Sequence, residues 1–255
     1  MSKVPTAMVT GATGKLGRRF ALGFAGLGWN IVVTSRGGAT ADTLVEQCRA
    51  AGARDVILMT VDLTATDAAA RITDALSTAD MLPDVLVNNA RDIAYLQPDE
   101  RGRTSRMQWM GELTLAVLLP YDLTMTLADV PGSPLRRVVN VGSMYGVVAP
   151  NLALYDDPGR QSPVHYGVAK AALVQLTREL AVRLAPRGIA VNAVSFGGVR
   201  GRADSAFMER YARLAPAGRM IEEEEVFGAV RFLASDDSSG MTGHNLIVDG
   251  GWTAW

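Results

Sequence analysis

The 255-residue chain has little of the material from which disulfides and metal sites are built. It contains one cysteine, Cys48, and two histidines. A single cysteine cannot form an intramolecular disulfide, and two isolated histidines do not make a metal site. The sequence therefore predicts neither a disulfide framework nor a bound metal ion.

The chain also lacks an excess of charge of either sign and any long apolar run. Lys and Arg total 25 against 26 Asp and Glu, a formal net charge of −1 at pH 7. This balance provides no general electrostatic attraction to nucleic acid or to an anionic membrane. No apolar run approaches the roughly 18 residues of a membrane helix, and the N-terminus lacks a signal-peptide pattern. We expect a cytoplasmic protein that binds neither nucleic acid nor a membrane.

Apolar residues are plentiful, at 48%, and they alternate between strand and helix patterns. Short β-rich runs that are apolar on both faces indicate strands buried on both sides. Amphipathic segments separate them, as where Leu16, Phe20, Phe24 and Leu27 recur on one helical stripe. The runs are Ala7–Thr10, Ile31–Thr34, Val56–Thr60, Val85–Val87, Arg137–Val141, Ile189–Val194 and Asn245–Val248. This alternation predicts one doubly wound α/β domain over residues 1–255, with a mainly parallel seven-stranded sheet.

Two segments interrupt the alternation, at about 149–163 and about 197–217. The first is rich in Pro, Asp, Gly and Asn, and the second in Arg and Gly. Long irregular segments in a compact domain are usually functional or disordered. We expect a substrate-side insert and a substrate loop, with a mobile surface loop as the alternative for each.

A glycine-rich turn, Thr10-Gly11-Ala12-Thr13-Gly14-Lys15-Leu16-Gly17, follows the first strand and opens the first helix. Glycines permit a tight turn and close backbone approach, and the helix N-terminus directs free N–H groups at a pyrophosphate. The position of this turn in the alternation predicts dinucleotide binding.

The end of the second predicted strand bears on the choice of cofactor. An acidic residue there would bind the adenosine ribose of NAD(H), but none occurs before Asp42. Ser35 and Arg36 instead provide a hydroxyl and a guanidinium that suit a 2′-phosphate, and Lys15 could add a second cation. NADP(H) is therefore favoured over NAD(H). The alternative is that Arg36 is a solvated residue at the strand end.

Tyr166 and Lys170 lie four residues apart near the start of a strongly predicted helix, so they share a face. A fixed cation stabilises a nearby phenolate, which would let Tyr166 exchange a proton with a substrate oxygen. Ser143 ends the fifth strand, at the edge where open α/β sheets bind ligands, and its hydroxyl could hold a carbonyl oxygen. These three residues are the candidate catalytic group.

Taken in order along the whole chain, these features resemble the short-chain dehydrogenase/reductase family. The matching positions are the glycine turn, Asn88-Asn89-Ala90, Ser143, Tyr166 with Lys170, Asn192, and Asp249-Gly250-Gly251. The resemblance implies a single Rossmann-type domain that assembles as a homodimer or homotetramer. It also implies hydride transfer between NAD(P)H and a carbonyl or alcohol.

The resemblance gives roles to individual residues. Tyr166 would be the general acid/base, Lys170 would bind the nicotinamide ribose and tune Tyr166, and Ser143 would orient the substrate. Asp62 would contact adenine. The expected cofactor-binding residues are Gly11, Thr13, Gly14, Lys15, Leu16, Gly17, Ser35, Arg36, Asp62, Leu63, Asn89, Ala90, Tyr166, Lys170, Gly197 and Val199.

The chain departs from the family pattern at four places. Lys15 stands where the classical branch has a glycine, Arg91 replaces the glycine after Asn-Asn-Ala, and Phe196 replaces a proline. The family's helix-four asparagine should fall near Ala116, and no asparagine occurs from Thr104 to Met125. Thr114 or a rearranged water could take its part in proton relay.

The substrate side carries several arginines. We expect Arg91, Met144, Tyr155, Arg200 and Arg202 to contact the substrate, and guanidiniums suit a phosphate or carboxylate. The alternative is that these arginines face solvent or the cofactor phosphates. The stretch Gln161-Ser162-Pro163-Val164-His165-Tyr166 also resembles bacterial sugar-modification and flagellin-modification oxidoreductases.

These features together predict an NADP(H)-dependent oxidoreductase that interconverts a carbonyl and an alcohol on a small polar, anionic substrate. A sugar phosphate, a nucleotide sugar or an oxo acid would fit. One alternative is a 3-oxoacyl-thioester reductase. An alternative of another class is a catalytically silent NADP(H)-binding sensor or scaffold.

Overall fold

Seven strands form one sheet whose order determines where a ligand can bind. The computed structural model describes residues 4–201 and 203–255. The sheet has the order β3-β2-β1-β4-β5-β6-β7, with every strand pair parallel. The strands are β1 (Thr6–Val9), β2 (Asn30–Ser35), β3 (Val56–Thr60), β4 (Val85–Asn88), β5 (Arg137–Ser143), β6 (Ala190–Phe196) and β7 (Asn245–Val248). The order reverses between β1 and β4, which is where open parallel sheets bind ligands at their carboxyl edge.

Helices cover both faces of the sheet. They are α1 (Lys15–Ala25), α2 (Ala39–Ala50), α3 (Ala68–Thr78), α4 (Arg106–Leu113), α5 (Leu119–Asp129), α6 (Pro158–Gln161), α7 (Val164–Leu184), α8 (Ser205–Leu214) and α9 (Val226–Ala234). Side chains of α1, α2 and α9 belong to one apolar cluster, and those of α3, α5 and α7 to another. The predicted doubly wound α/β fold is confirmed, and the sheet is wholly parallel within the described residues.

Strand β1 shows why apolar residues occupy both faces of the strands. Ala7 and Val9 belong to the cluster on the α1 face, whereas Met8 belongs to the cluster on the opposite face. All three side chains are fully buried. Because successive side chains point to opposite faces, a strand covered on both sides needs apolar residues throughout.

The two irregular segments pack against each other in a third apolar cluster. Leu154 of the insert is fully buried there with Tyr211 of α8 and Trp252. The Arg210 side chain donates a hydrogen bond from Nε to the Leu154 carbonyl over 2.8 Å. Helix α8 starts at Ser205, because Asp204 caps it by accepting a bond from the Phe207 amide. The segment of about 197–217 is thus more helical than expected.

Two features are absent from the described part of the chain. None of its helices has the length and apolar character that crossing a bilayer requires. No group of three or more potential metal-ligating side chains occurs there.

We expect Cys48 to be unreactive in the native protein. Its side chain is fully buried on α2, and burial raises the pKa of the thiol to about 11. The thiolate is the reactive form, so a chromogenic disulfide reagent should modify no thiol at pH 8 until denaturant is added. Titration of one thiol per chain before unfolding would contradict this burial.

Candidate active site

Hydrogen bonds join the glycine-rich turn to the segment that follows β4. The Thr10 hydroxyl accepts hydrogen bonds from the backbone amides of Asn89, at 2.9 Å, and Ala90, at 3.0 Å. The Asn89 side-chain amide donates in return to the carbonyls of Thr10 and Gly11. These bonds fix the turn at the point where the strand order reverses.

Two glycines are required by this close approach. Gly11 has φ +62°, and a Cβ there would lie 2.8 Å from Ala90 Cα. A Cβ on Gly17 would lie 2.3 Å from the Gly11 carbonyl oxygen. Helix α1 begins at Lys15, and its N-cap Gly14 offers no side-chain cap. Its first N–H groups are therefore available to an anion, so the turn fits the pyrophosphate of a dinucleotide.

A first chamber lies between the turn and the ends of β2 and β3. The predicted cofactor-binding residues that line it are Gly11, Thr13, Gly14, Ser35, Arg36, Asp62, Leu63 and Ala90. Asp62 accepts bonds from the backbone amide and hydroxyl of Thr64, which lower the pKa of its carboxyl. The chamber has the place and shape for the adenosine half of a dinucleotide.

An acidic residue that the sequence reasoning missed lies in this chamber. Asp92 pairs with Arg36, whose Nη1 is 3.0 Å from Asp92 Oδ2, and the Arg36 side chain is 75% exposed. The other Asp92 oxygen caps a short helical turn by accepting from the Ala94 amide. No spacing in the sequence signals this pair, because Asp92 follows β4 and Arg36 follows β2.

Lys15 does not reach the Arg36 end of the cleft. It lines a second chamber, where its ammonium donates to the carbonyls of Val199 and Arg200 and lies 3.4 Å from Glu223. The expectation that Lys15 supplies a second cation beside Arg36 is therefore wrong. The side chain leaves α1 towards the loop after β6.

The second chamber brings the predicted catalytic residues together. Ser143, Tyr166 and Lys170 line it along with Gly11, Gly14, Lys15, Leu16, Asn89, Gly197 and Val199. Lys170 is 5% exposed, and its Nζ donates to the Val141 carbonyl at 2.8 Å. Nζ lies 6.0 Å from the centre of the Tyr166 ring, and burial lowers the pKa of the Lys170 ammonium. Gly17 lies behind the turn rather than in either chamber.

A buried polar chain holds α7, and with it Tyr166 and Lys170, against the sheet. The Asn88 amide on β4 donates to Asn140 on β5 at 2.8 Å, and Asn140 donates to the Thr177 hydroxyl on α7 at 2.9 Å. Hydrogen bonds between buried side chains fix relative position as well as satisfying polar groups.

Arg91 occupies the centre of the site. It lines both chambers and a third cavity, and its guanidinium carbon lies 5.1 Å from the centre of the Tyr166 ring. This is the geometry of a cation–π contact. Arg91 stands where the family has a glycine. It therefore places a cation beside the ring of the candidate acid/base, Tyr166.

The third cavity, of about 890 Å³, opens beside Tyr166 and Arg91. Most of its wall is apolar, with Ile93, Leu96, Val147, Val148, Pro150, Leu152, Pro163, Val164 and Val168 among its residues. Tyr155 lines it as expected, and its hydroxyl lies 2.7 Å from that of Tyr145. Burial raises the pKa of both phenols. Arg160 also lines the cavity and was not predicted.

Two of the described residues predicted to contact substrate, Met144 and Arg200, do not line this cavity. Met144 is buried in the third apolar cluster, where its sulfur faces the Tyr211 hydroxyl. The Arg200 guanidinium pairs with Glu222 at 3.2 Å, because the loop turns it towards the segment before α9. Arg202 lies outside the described residues. Among the described residues, the arginines that line the cavity are Arg91 and Arg160.

The family's helix-four asparagine should fall near Ala116, and this position carries no polar side chain. Ala116 is buried in the π-helical turn Thr114–Leu118 between α4 and α5. Glu112 on α4 is only 1% exposed, and burial raises the pKa of its carboxyl, a shift that the charges of Lys170 and Arg91 oppose. It is the one charged residue between Arg106 and Asp122, and that isolation in an apolar helix is the signal the sequence contained.

The chain matches a known protein family over nearly its whole length. The family model described as Enoyl-(Acyl carrier protein) reductase matches residues 11–253 of this chain. The match spans the glycine turn, the catalytic triplet and the last strand.

Individual proteins agree with that match. The uncharacterized oxidoreductase YmfI of Bacillus subtilis (strain 168) is 30% identical over 97% of this chain and 98% of its own length. The post-translational flagellin modification protein A of Campylobacter coli is 35% identical over 46% of this chain and 45% of its own. A Beutenbergia cavernae structure, described provisionally as NAD(P) dependent gluconate 5-dehydrogenase with bound NADP, is 32% identical. It covers 98% of this chain and 97% of its own, with a TM-score of 0.81.

We expect Gly17→Ala to abolish tight dinucleotide binding, because its Cβ would collide with the Gly11 carbonyl. Affinity for NADPH, followed by nicotinamide fluorescence, should fall at least about tenfold, or about 1.4 kcal/mol. Gly228→Ala is the matched control, since its Cβ meets nothing within 4 Å on α9. That variant should bind normally and gain about 0.5–1 kcal/mol of stability. Equal affinity of both variants would contradict the packing described.

Proposed function

Since the chain belongs to the short-chain dehydrogenase/reductase family of NAD(P)-dependent oxidoreductases, we propose that it interconverts a carbonyl and an alcohol using NADP(H). The substrate is a small compound with an anionic group near the reacting carbon. One observation carries the proposal: Ser143, Tyr166 and Lys170 line one chamber, between the dinucleotide turn and a substrate-sized cavity. This convergence argues against a catalytically silent binding protein.

The chemistry divides between the cofactor and the chain's own residues. The nicotinamide supplies or accepts the hydride. In reduction, Tyr166 donates its phenolic proton to the carbonyl oxygen, and Ser143 holds that oxygen by a hydrogen bond. Lys170, buried and directed by the Val141 carbonyl, places positive charge beside the Tyr166 ring and stabilises the phenolate left behind.

Arg91 supports an anionic substrate. A guanidinium recognises a carboxylate or phosphate through paired hydrogen bonds, and this one borders the cavity and the Tyr166 ring together. The apolar wall beyond it accommodates the rest of the molecule, and the cavity volume lies in the range of roughly 300–1,000 Å³ for small-ligand sites. Oxo acids and phosphorylated carbonyl compounds meet both requirements.

The NADP(H) preference rests on the first chamber. Arg36 and Ser35 border it where a ribose 2′-phosphate would lie, and no carboxylate follows β2 there. Asp92 opposes this preference for two reasons. It pairs with the Arg36 guanidinium, and its negative charge repels a phosphate. A phosphate dianion can compete with the Asp92 carboxylate for Arg36, because the Arg36 side chain is 75% exposed and an ion pair with a solvated partner contributes little energy.

A second candidate is reduction of a 3-oxoacyl thioester. The apolar wall of the third cavity favours an acyl chain, and the description of the matching family model names an acyl carrier protein. Arg160 at the rim could receive the acidic surface of a carrier. A screen of oxo acids against 3-oxoacyl thioesters distinguishes the two.

Assembly as a homodimer or homotetramer is part of the proposal. Large apolar side chains on and between α4 and α5 are exposed in the single chain: Met107, Met110, Leu118 and Tyr121. An apolar strip of this kind suits a subunit contact.

Replacing Tyr166 with Phe tests the reaction. Turnover of an oxo acid or phosphorylated carbonyl compound with NADPH should fall by at least about 100-fold, the range of a lost general acid. NADPH affinity should stay within about twofold, because the ring and its contact with Arg91 remain. Retained turnover would refute the role of Tyr166 and with it the proposed reaction.

Replacing Arg36 with Ala tests the cofactor preference. NADPH affinity should fall about 10- to 100-fold, as expected for lost hydrogen bonds to a charged group, while NADH affinity stays unchanged. Asp92→Asn should strengthen NADPH binding, because it frees the guanidinium and removes a negative charge. Arg49→Ala, an exposed change near the end of α2, serves as the control. A wild-type protein that binds NADH more tightly than NADPH would overturn the assignment.

A further inference from the structure

Lys15 is a cation of the second chamber that the proposed chemistry leaves unused. Its ammonium donates hydrogen bonds to the carbonyls of Val199, at 3.2 Å, and Arg200, and it lies 3.4 Å from the Glu223 carboxylate. An ammonium has three N–H donors, and these three partners match them in number. Lys15 is therefore committed to the β6 loop (residues 197–201) and to the segment before α9.

A second cation of α1 supports this attachment. Arg19, one helical turn after Lys15, donates from Nε to Glu223 at 3.1 Å and from Nη2 to Glu224 at 2.6 Å. Glu223 is therefore shared by two cations of the same helix. Ion pairs that share partners in a network contribute more than isolated surface pairs. The segment before α9 is thus attached to the helix that begins at the dinucleotide turn.

The β6 loop and the segment before α9 are joined by backbone hydrogen bonds. The Arg200 amide donates to the Ile221 carbonyl at 2.8 Å, and the Ile221 amide donates to the Gly198 carbonyl at 2.9 Å. Val199 and Ile221 form a parallel bridge between the two segments. Because Lys15 contacts both sides of this pairing, it attaches the two segments to α1 as one unit.

The attached loop forms part of the wall of the chamber that contains the candidate catalytic residues. Gly197 and Val199 line the second chamber, as does Lys15 itself. Ser143 and Tyr166 line the same chamber. The described residues that line the first chamber, where the adenosine half of a dinucleotide would lie, include neither Lys15 nor the β6 loop. A contact that fixes this loop therefore acts on the nicotinamide half of the cofactor.

Gly201 shows how closely the ammonium and the loop approach each other. Its φ is +139°, and a Cβ there would lie 2.6 Å from Lys15 Nζ. A methyl group at position 201 and the ammonium cannot occupy the same space, and the flexible end of Lys15 would move away. A glycine at position 15, as in the family pattern, would have no side chain to reach the loop.

We propose that Lys15 is a positioning residue: it holds the β6 loop against the dinucleotide turn and thereby slows release of the nicotinamide half of the cofactor. The inference rests on the proposed function, because it requires a dinucleotide in the cleft. Lys15 acts through the loop rather than as a phosphate ligand, since its donors are already bonded within the protein. NADPH and NADH share the nicotinamide half, so Lys15 affects both equally, whereas Arg36 distinguishes them.

The first test compares Lys15→Met with Arg18→Met. Methionine keeps the length of the side chain but cannot donate, so affinity for both NADPH and NADH should fall about tenfold, as for lost hydrogen bonds to a charged group. The loss should appear mainly as faster dissociation, followed by nicotinamide fluorescence in stopped flow. Affinity for adenosine 2′,5′-bisphosphate, which carries the adenosine half alone, should stay unchanged. Arg18→Met removes an exposed cation from α1 and should bind all three ligands normally.

Gly201→Ala disturbs the same contact from the side of the loop. Its methyl group should displace the Lys15 ammonium and weaken binding of both cofactors, as Lys15→Met does. Gly218→Ala is the control for backbone strain, since Gly218 has φ +67° and a Cβ there would meet nothing within 4 Å. The double variant Lys15→Met/Gly201→Ala should lose less affinity than the two single losses combined, because both changes remove one contact. Fully additive losses would contradict that contact.

Hydrogen exchange of the free protein tests the attachment without cofactor or substrate. Amides of the β6 loop should exchange about tenfold faster in Lys15→Met, because opening no longer breaks hydrogen bonds to a charged group. Lys15→Arg, which keeps a cationic donor, should restore slow exchange and part of the cofactor affinity.

Two results would overturn the positioning role of Lys15. One is unchanged exchange of the β6 loop in a folded Lys15→Met variant. The other is an equal loss of affinity for adenosine 2′,5′-bisphosphate and NADPH, since Lys15 would then attract phosphate directly. If wild type binds no dinucleotide, the proposed function fails and cofactor retention fails with it, while the exchange rates still decide whether Lys15 holds the loop.

Discussion

Parallel pairing of the central strands is the constraint on which the rest of the structure depends. Register aligns Val9 with Val87, Asn88 with Asn140 and Ser143 with Phe196, so these strands end at one edge of the sheet. Backbone groups of a buried sheet must pair with their neighbours, which leaves little freedom to shift that edge. The glycine turn, the segment after β4 and the candidate catalytic residue Ser143 therefore meet although they are distant in sequence. The hydrogen bond from Asn140 to Thr177 holds α7 against the sheet.

The site gains its chemistry by placing charge in an apolar interior. Lys170 and Glu112 are both nearly inaccessible, and Arg91 lies over the Tyr166 ring at the border with the substrate cavity. Interactions among these groups are stronger than in water because the local dielectric is low. Burial raises the pKa of the Glu112 carboxyl and lowers that of the Lys170 ammonium, so both charged forms are costly in this interior.

The substrate side is built from segments outside the sheet. Leu154 of the insert packs with Tyr211 of α8 and with Trp252 in a separate apolar cluster. A hydrogen bond from Arg210 to the Leu154 carbonyl also connects the insert to α8. Because this cluster is separate from the two clusters that flank the sheet, the shape of the substrate cavity can vary without disturbing the cofactor turn. The cavity combines the Tyr145–Tyr155 hydroxyl pair with a largely apolar wall.

The sequence by itself determined the fold and the local motifs, because these depend on neighbours along the chain. Strands apolar on both faces predicted the parallel sheet, the glycine spacing predicted the turn, and the helical spacing of Tyr166 and Lys170 placed them on one face. Tertiary structure alone decided which distant side chains meet. It paired Arg36 with Asp92 and turned Lys15 and Arg200 away from their expected partners. Such pairings follow from strand order and helix packing, and no local pattern of residues records them.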